Sequence, residues 1–509
     1  RIPNGTYGGV RGRGLVAPSY SISGNHQGSS HVLKERCIFC TLEEWPLKLI
    51  TVEEAIKRIE QWTDIPCTHE VITSGIYRNS EQNQTPFYTM EVMWNKRGEP
   101  ELDEEGLVNK NTILAVLDAC TGKLTAFYRY GSDQTAENLD VEDMDDEMYR
   151  KVSGHIIQWI EKLGLPIDLG ELVVRKKRLC GDKWYELSFS RARAGIPFRS
   201  YQQFDIRLDA DDNQLLHLYC RWDDCEFEEG EERISDGNLL AKLTEEQLSL
   251  GYLPVLSLEK PFYVCHEHVI HAKTGELLFS DEIVVLERIA LYQNEADAKP
   301  VKWNEQPIWT KDYRELLRLS DHVTEAEIDA PHPLFPDLAM EEKELAKELV
   351  RSYLSTAYAD DPFEYVYTRK PDQEAVESFP QNRVVVHVHR MIHGIPLLMG
   401  GGIRFFFDRD TWELVQIMDA LDFWRSVKAE EGDHAEEKGI AGNDHFRKAL
   451  RTRAEAWDAL KGRVTVKLRY MFDPHYPDPS GRGRKKAIPV YVIDCDCMYD
   501  GESGELVEL

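Results

Sequence analysis

The chain has no run approaching the roughly twenty consecutive apolar residues that carry a helix across a bilayer, so no integral membrane segment is expected in its 509 residues. Positive charge is scarce: 61 Lys and Arg stand against 90 Asp and Glu, a formal net charge of −29. Affinity for phosphate backbones comes chiefly from clustered Lys and Arg, so this balance argues against a nucleic-acid-binding body. Cysteine is moderate at 10 residues, far below the density of small secreted disulfide scaffolds. Catalytic signatures are missing too. There is no G-x-S-x-G elbow and no G-x-G-x-x-G between a strand and a helix. Thr121-Gly122-Lys123-Leu124 lacks the upstream glycine and the Ser or Thr of a phosphate-binding loop. No cofactor is expected.

What is present is duplication, which has to be found before anything else is read. Arg191, Gly195-Ile196-Pro197 and Asp209 recur at identical offsets as Arg390, Gly394-Ile395-Pro396 and Asp408, and Asp223 and Asp422 follow each copy at the same spacing. Helical patterns precede both copies, over Met148 to Leu163 and Met340 to Tyr358. A second pattern occurs three times: a strand opening Pro-x-Tyr leads to a turn with Gly and then Leu. Its copies are Pro86-Phe87-Tyr88 with Thr121 to Leu124, Pro261-Phe262-Tyr263 with Thr274 to Leu277, and Pro489-Val490-Tyr491 with Ser503 to Leu506. Thr51 to Trp62 carries Ala55, Ile56, Ile59 and Trp62 at helical spacing, with Thr51 and Glu54 in capping-box positions.

These patterns divide the chain into an arm (1–45), a first small unit (46–135), two long repeats (136–290 and 338–509) and a proline-punctuated connector (291–337). The arm is rich in Gly and Ser and lacks periodicity, a composition that does not fold alone. Arg1, Arg11, Arg13, Lys34 and Arg36 face one acid over residues 1–40, giving +4 and leaving −33 on the remainder. A basic tail is therefore tethered to an acidic body, its own or a neighbour's providing the complementary surface. The chain begins with Arg rather than Met, so the lack of a leader is uninformative.

The duplicated residues have a physical reading of their own. A Gly-Ile-Pro corner reverses the chain while proline fixes one φ, and the aspartates end strands where backbone amides need acceptors. Arg191 and Arg390 are expected to pair with Asp209 and Asp408 across a hairpin. A duplicated catalytic site would also have duplicated a nucleophile and a base, so Arg191, Gly195, Pro197, Asp209, Arg390, Gly394, Pro396 and Asp408 are read as structural.

A helix followed by Arg-x-x-x-Gly-Ile-Pro, a strand ending in Asp and a later Asp-Ala-x-Thr-Gly type of turn resembles the repeated domain of the YcdB/YcdC proteins of spore-forming Gram-positive bacteria, relatives of the PepSY module. The resemblance covers about Thr51 to Leu509. It implies an α+β fold of tandem PepSY-like repeats, each a helix packed on an antiparallel sheet, with an extended N-terminal arm. It also implies a non-enzymatic role by binding, as in protease propeptides and envelope proteins, and a spore- or cell-envelope-associated location. Asp494-Cys495-Asp496-Cys497 before the last turn departs from the pattern.

The remaining candidates for chemistry are thiols, histidines and charge runs. Cys37 and Cys40 form a C-x-x-C between arm and body, and Cys495 and Cys497 share one face of a strand. Neither arrangement has the second pair of a zinc knuckle, and cross-linking between chains is the alternative to structural thiols. His266 and His268, and likewise His387 and His389, stand two apart on strands, where both imidazoles can chelate one metal. His266-Glu267-His268-Val269-Ile270-His271 is not the zincin motif, because Ile270 occupies the place of its second histidine. Acidic runs at Asp140 to Glu147 and Asp223 to Glu232 lack EF-hand ligand order. Arg482, Arg484, Lys485 and Lys486 make a basic loop that can meet such a run on another molecule.

The function expected is a non-catalytic structural and assembly protein whose main partner is itself, through the arm. A propeptide-like binder or inhibitor of a protease is the first alternative. A metal-dependent hydrolase using His266, His268 and a carboxylate such as Glu267 is the second.

Overall fold

The computed structural model describes residues 49–79, 88–100, 108–130, 141–181, 183–228, 233–253, 257–281, 284–306, 314–320, 322–369, 374–380, 382–398, 401–421, 446–475 and 485–508. The fold is α+β, with few helices and mostly antiparallel sheets. A first group holds α1 (Val52–Trp62), β1 (His69–Arg78), β2 (Tyr88–Lys96), β3 (Ile113–Asp118) and β4 (Leu124–Arg129). A second holds β5 (Val141–Asp143), α2 (Asp146–Leu163), β6 (Leu172–Cys180), β7 (Trp184–Arg193), β8 (Ile196–Pro197), β9 (Gln203–Asp209) and β10 (Leu215–Arg221). The third has β11 (Cys225–Phe227), α3 (Asp236–Leu240), β12 (Leu248–Leu253), β13 (Ser257–Cys265), β14 (His268–His271) and β15 (Leu277–Ser280). After β16 (Val284–Arg288), α4 (Arg314–Leu317) and α5 (Glu325–Asp329) comes a fourth group, α6 (Met340–Ala357), β17 (Glu364–Arg369), β18 (Val376–Phe379), β19 (Arg383–Ile392), β20 (Ile395–Pro396), β21 (Gly402–Asp408) and β22 (Leu414–Asp419). The last contains α7 (Arg453–Leu460), β23 (Val464–Phe472), β24 (Lys485–Cys495), β25 (Cys497–Asp500) and β26 (Leu506–Glu508).

Local chemistry accounts for the helices. Thr51 and Glu54 exchange hydrogen bonds in the expected capping box of α1, and Ala55 and Ile59 are buried beneath it. In α2, Asp145 accepts from the amides of Glu147 and Met148, so this helix starts two residues before the apolar pattern does, and Gly164 closes it in the left-handed conformation. The apolar stripe Val152, Ile156, Ile160 and Leu163 joins Ala55 and Ile59 in one cluster with Phe127, Leu187, Phe204 and Leu218. That cluster fuses the first two groups into one sheet, because β4 pairs with β10, Phe127 opposite Leu218. Beneath α6 lies a separate sheet, β16-β17-β19-β21-β22, with its own core of Leu349, Val350, Leu354, Val384, Val386, Phe405 and Phe407.

One turn recurs five times. Asp118, Asp209, His271, Asp408 and Asp500 each open it, accepting on the side chain from amides two and three residues on. The fifth residue closes it with positive φ: Gly122, Asn213, Gly275, Trp412 and Gly504. A tryptophan in the left-handed region is costly, and glycine and asparagine at the other four positions show what the turn prefers.

The third and fifth groups do not form separate sheets. In the first group β2 folds back on β3 across residues 97–112, placing Thr89 opposite Asp118 and Met90 opposite Leu117. Between β13 and β14 only His266 and Glu267 intervene, and between β24 and β25 only Asp496. The favoured two-residue reversals have left-handed φ at the first or both positions, and neither His266 nor Glu267 has it. These strands therefore run on and cross. β13 pairs with β25, Phe262 opposite Asp500 and Tyr263 opposite Tyr499, and β14 pairs with β24, His271 opposite Val490 and Ile270 opposite Tyr491. All three registers coincide when each is counted from the residue opening the turn. Pro261 and Pro489 then correspond to Tyr88, not to Pro86, so the Pro-x-Tyr match between the first copy and the other two is out of structural register by two residues; Pro86 and Phe87 lie outside the described residues.

Several described segments of the connector are bound to sheet edges. Lys302 and Asn304 bond the backbone of Leu414 on edge strand β22. Leu319 bonds Ile76 of edge strand β1, and Arg78 donates to the carbonyls of Glu327, Ile328, Ala330 and Pro331. Strand edges left open invite pairing with other chains, and this segment covers two of them. His332 is buried at this clasp, bonding the Asn79 carbonyl at 2.8 Å. Desolvation holds its pKa below that of a free imidazole, the Asn79 bond opposing and the Arg78 charge assisting. The unfolded chain takes up this proton first, at about pH 6.5, so the contact's contribution is complete above that pH and lost progressively below it. Urea unfolding should show a larger loss of stability from about pH 7 to about pH 5 in the wild type than in His332→Gln; equal losses would contradict the assignment.

Candidate functional site

The duplicated Arg and Gly-Ile-Pro residues come together at two seams between sheets. Ala194-Gly195 and His393-Gly394 reverse the chain, all four with positive φ, the geometry that tight hairpins between twisted strands require. Ile196-Pro197 and Ile395-Pro396 then pair back onto β7 and β19. The next residue of each hairpin bridges to another group: Phe198 to Tyr470 in β23, and Leu397 to Tyr252 in β12. Each Gly-Ile-Pro hairpin thus docks on one partner of the crossed pair.

Under each hairpin lies a buried arginine. Arg191 Nε donates to Glu171 Oε2 at 2.6 Å and Nη1 donates to the Asp223 carbonyl at 2.7 Å. Its guanidinium lies 4.9 to 5.3 Å from the rings of Phe198, Trp222 and Phe227. Arg390 grips Asp419 with both terminal nitrogens, at 2.8 and 2.5 Å, and faces Tyr358 and Phe363. Burial works against the Arg390 charge, but the Asp419 hydrogen bonds outweigh it and the pKa is raised.

Pairing of these arginines with Asp209 and Asp408 does not occur. Ser190 stands opposite Gln203 and Trp184 opposite Asp209, so Arg191 and Asp209 occupy opposite ends of one hairpin, as do Arg390 and Asp408. The two aspartates serve the turn amides instead. The carboxylate of Asp223 accepts from Gln202 at 2.8 Å and meets Lys485 at 3.2 Å. Asp422 lies outside the described residues.

Charge complementarity that the sequence would place between molecules is satisfied within one. β11 runs parallel to the start of β24, Cys225 opposite Lys485, and Lys486 reaches Glu228 at 3.4 Å and Asp473 at 3.9 Å. Arg482 and Arg484 lie outside the described residues.

The histidines are engaged separately. His266 Nδ1 contacts Asp281 at 3.1 Å, His387 Nε2 contacts Glu377 at 2.9 Å, and His389 Nε2 donates to the Leu397 carbonyl at 2.7 Å. His268 is buried in β14. Among the described residues there is no group of three or more His, Cys, Asp or Glu that could hold a metal. Cys495 and Cys497 are buried with Cys265 in one apolar cluster. Burial raises the Cys495 pKa and pushes Cys265 up to about 12. Enclosed thiols of this kind are the inert, structural sort, the first of the two readings of Cys495 and Cys497. Cys37, Cys40, Arg1, Arg11, Arg13, Lys34 and Arg36 lie outside the described residues.

Two seam residues were invisible to sequence reasoning. Arg199, next to Phe198, bonds Glu267 of the short hinge at 2.5 Å and lies over Phe279. At the corresponding place in the other hairpin stands Leu398, packed on Leu253, Phe262 and Met498. One seam is clamped by charge and the other by apolar contact, so duplication could flag neither. Chemically the arrangement holds strands together.

No protein-family model and no curated protein sequence matches this chain. Among solved structures it is similar to the Bacillus megaterium YpeB C-terminal domain at 9% identity and a TM-score of 0.24, over 46% of this chain and 97% of that one. No helix among the described residues is long and apolar enough to cross a membrane.

Gly251 tests the apolar seam. A Cβ there would fall 2.3 Å from Leu398 Cγ, so Gly251→Val should cost about 1 to 3 kcal/mol in urea unfolding. Combination with Leu398→Ala should cost less than the sum of the two single changes; strict additivity would mean the seam does not pack there.

Proposed function

We propose that this chain is a non-catalytic structural and assembly protein of the YcdB/YcdC type, made of tandem PepSY-like units that each set a helix on an antiparallel sheet, and that it associates with copies of itself. The observation that carries this reading is the use made of the duplicated side chains: Arg191 and Arg390 are enclosed in ion pairs beneath hairpins that dock one part of the chain on another. On this reading 46–135 is the first unit, 136–290 and 338–509 are the long repeats, and 291–337 joins them. The associating segment is the basic arm, 1–45, whose charge of +4 over residues 1–40 is opposite to the −33 on the remainder. Attraction of this kind is screened by salt.

Light scattering on the whole chain and on a chain lacking residues 1–45 tests it. The whole chain should exceed its 58.8 kDa monomer mass at low salt and fall towards it at high salt, and the shortened chain should be monomeric at both. The same number of copies per particle for the two at both salt concentrations would overturn the arm's role.

A second reading, binding of a protein partner such as a protease, is favoured by β16. This edge strand exposes Val284, Val285 and Leu286, and exposed apolar edges accept an added strand. Val285→Lys should abolish such binding, read by co-purification, without changing the mass in light scattering. Retention of the partner by this variant would remove the edge from consideration.

A further inference from the structure

The two repeats part company on the face of β7 that turns away from α2. Phe189 joins the core beneath that helix, so by the alternation of a strand Ser188 and Ser190 face the other way. There a cavity of about 220 Å³ opens between β7 and residues 198–203, and Arg175, Ser190, Phe198, Arg199, Ser200 and Gln202 are among its walls. Counting on by the 199 residues that separate Arg191 from Arg390 (390 − 191), the second repeat has His389, Leu398 and Glu374 in place of Ser190, Arg199 and Arg175. The backbone supports this correspondence. The Arg191 amide donates to the Gln202 carbonyl and the Arg390 amide to that of Gly401, and Ser190 stands opposite Gln203 as His389 does opposite Gly402. In the second repeat the His389 ring reaches the Leu397 carbonyl and lies so close to Gly401 that a Cβ there would fall 2.8 Å from its Nε2. Serine at 190 is too short to occupy the same space.

The walls are rich in donors. Arg175 is the extra residue where the β6–β7 register shifts between Val174 and Lys176, and bulges of this kind re-aim a side chain. Its Nε donates to Ser190 Oγ at 2.9 Å. That leaves the Ser190 hydroxyl proton and the two terminal guanidinium nitrogens to donate elsewhere, and Arg175 is in no ion pair among the described residues. Deeper in, the Arg199 side chain is only 10% exposed. Glu267 engages its Nη2, while Arg199 Nε and Ser200 Oγ are buried without a hydrogen-bond partner among the described residues. Asp205, on the same sheet face, already accepts from Ser188 and Gln203. Buried donors left unmet cost free energy, those of charged groups most. A ligand that offers only acceptors relieves that cost, and a guanidinium fork beside hydroxyls matches an oxyanion.

We propose that this cavity binds a tetrahedral oxyanion, phosphate or the phosphoryl group of a small molecule, with Arg175 and Ser190 as donors at its mouth and Arg199 and Ser200 beneath. The site goes beyond the assembly reading and does not depend on it, since none of its residues belongs to the arm. The second repeat cannot offer the same site: His389 fills the space, and Leu398 and Glu374 supply no positive charge.

Calorimetric titration of the full chain with inorganic phosphate and, separately, with O-phosphoserine tests the site, at an ionic strength held constant with chloride. One saturable site is expected for at least one of the two. Arg175→Gln, at an exposed position, should weaken it about tenfold or more, the loss that accompanies a charge-assisted hydrogen bond. Ser190→His, which makes the first repeat resemble the second, should weaken it at least as much. Arg178→Gln removes a charge from the same strand outside the cavity, where Arg178 meets Asp143 at 3.7 Å, and should leave affinity within about twofold of wild type because exposed charges are screened. Tighter binding of phosphoserine would assign the cavity to esterified phosphate, and tighter binding of the free ion to phosphate itself. No saturable binding of either, undiminished binding by Arg175→Gln, or equal weakening by Arg178→Gln would each overturn the site.

Discussion

The structure depends on two short hinges at which the chain does not turn back. His266-Glu267 and Asp496 connect strands that the chain elsewhere joins through residues 97–112. A strand that does not reverse continues, and its continuation must find a partner elsewhere or expose its backbone. Here the third and fifth groups complete one another. This ties together segments separated by the whole fourth group, and gives the Gly-Ile-Pro hairpins their docking strands: β23 for one and β12 for the other. Topology of this kind makes the core of one half contingent on the other, so contact order is high and folding is expected to be slow.

Electrostatics follow the same logic. The buried pairs Arg191–Glu171 and Arg390–Asp419 lie where strands turn outward to the seams. Isolated buried charges are expensive, and a pair breaks even only when further hydrogen bonds and aromatic faces satisfy it. Both pairs have these. Their counter-ions come from different places, Glu171 before β6 and Asp419 at the end of β22, so the chemical requirement is duplicated while the residue that meets it is not.

Much of the local structure was legible in the sequence. The α1 capping box, the paired Gly-Ile-Pro reversals and the turns at Gly122, Gly275 and Gly504 all follow from residue type and spacing. The turns at Asn213 and Trp412 and the replacement of the opening aspartate by His271 were hidden, because each uses a less typical residue for the same hydrogen bonds. Pairing of Arg191 and Arg390 was misassigned because equal offsets in sequence identify equivalent residues and say nothing about which end of a hairpin they occupy. The crossing itself was beyond sequence reasoning. A two-residue gap between strand patterns is consistent with a tight turn, and only the backbone conformation of His266 and Glu267 decides against it.

Hydrogen exchange on the intact chain tests the crossed joint most directly, by following peptides over 261–271 and 489–500 as denaturant is raised. If the strands complete each other, the amides of both segments open in one cooperative step with the same free energy and the same denaturant dependence. Segments that lose protection at different free energies, one while the other remains closed, would show two independent hairpins and contradict the account.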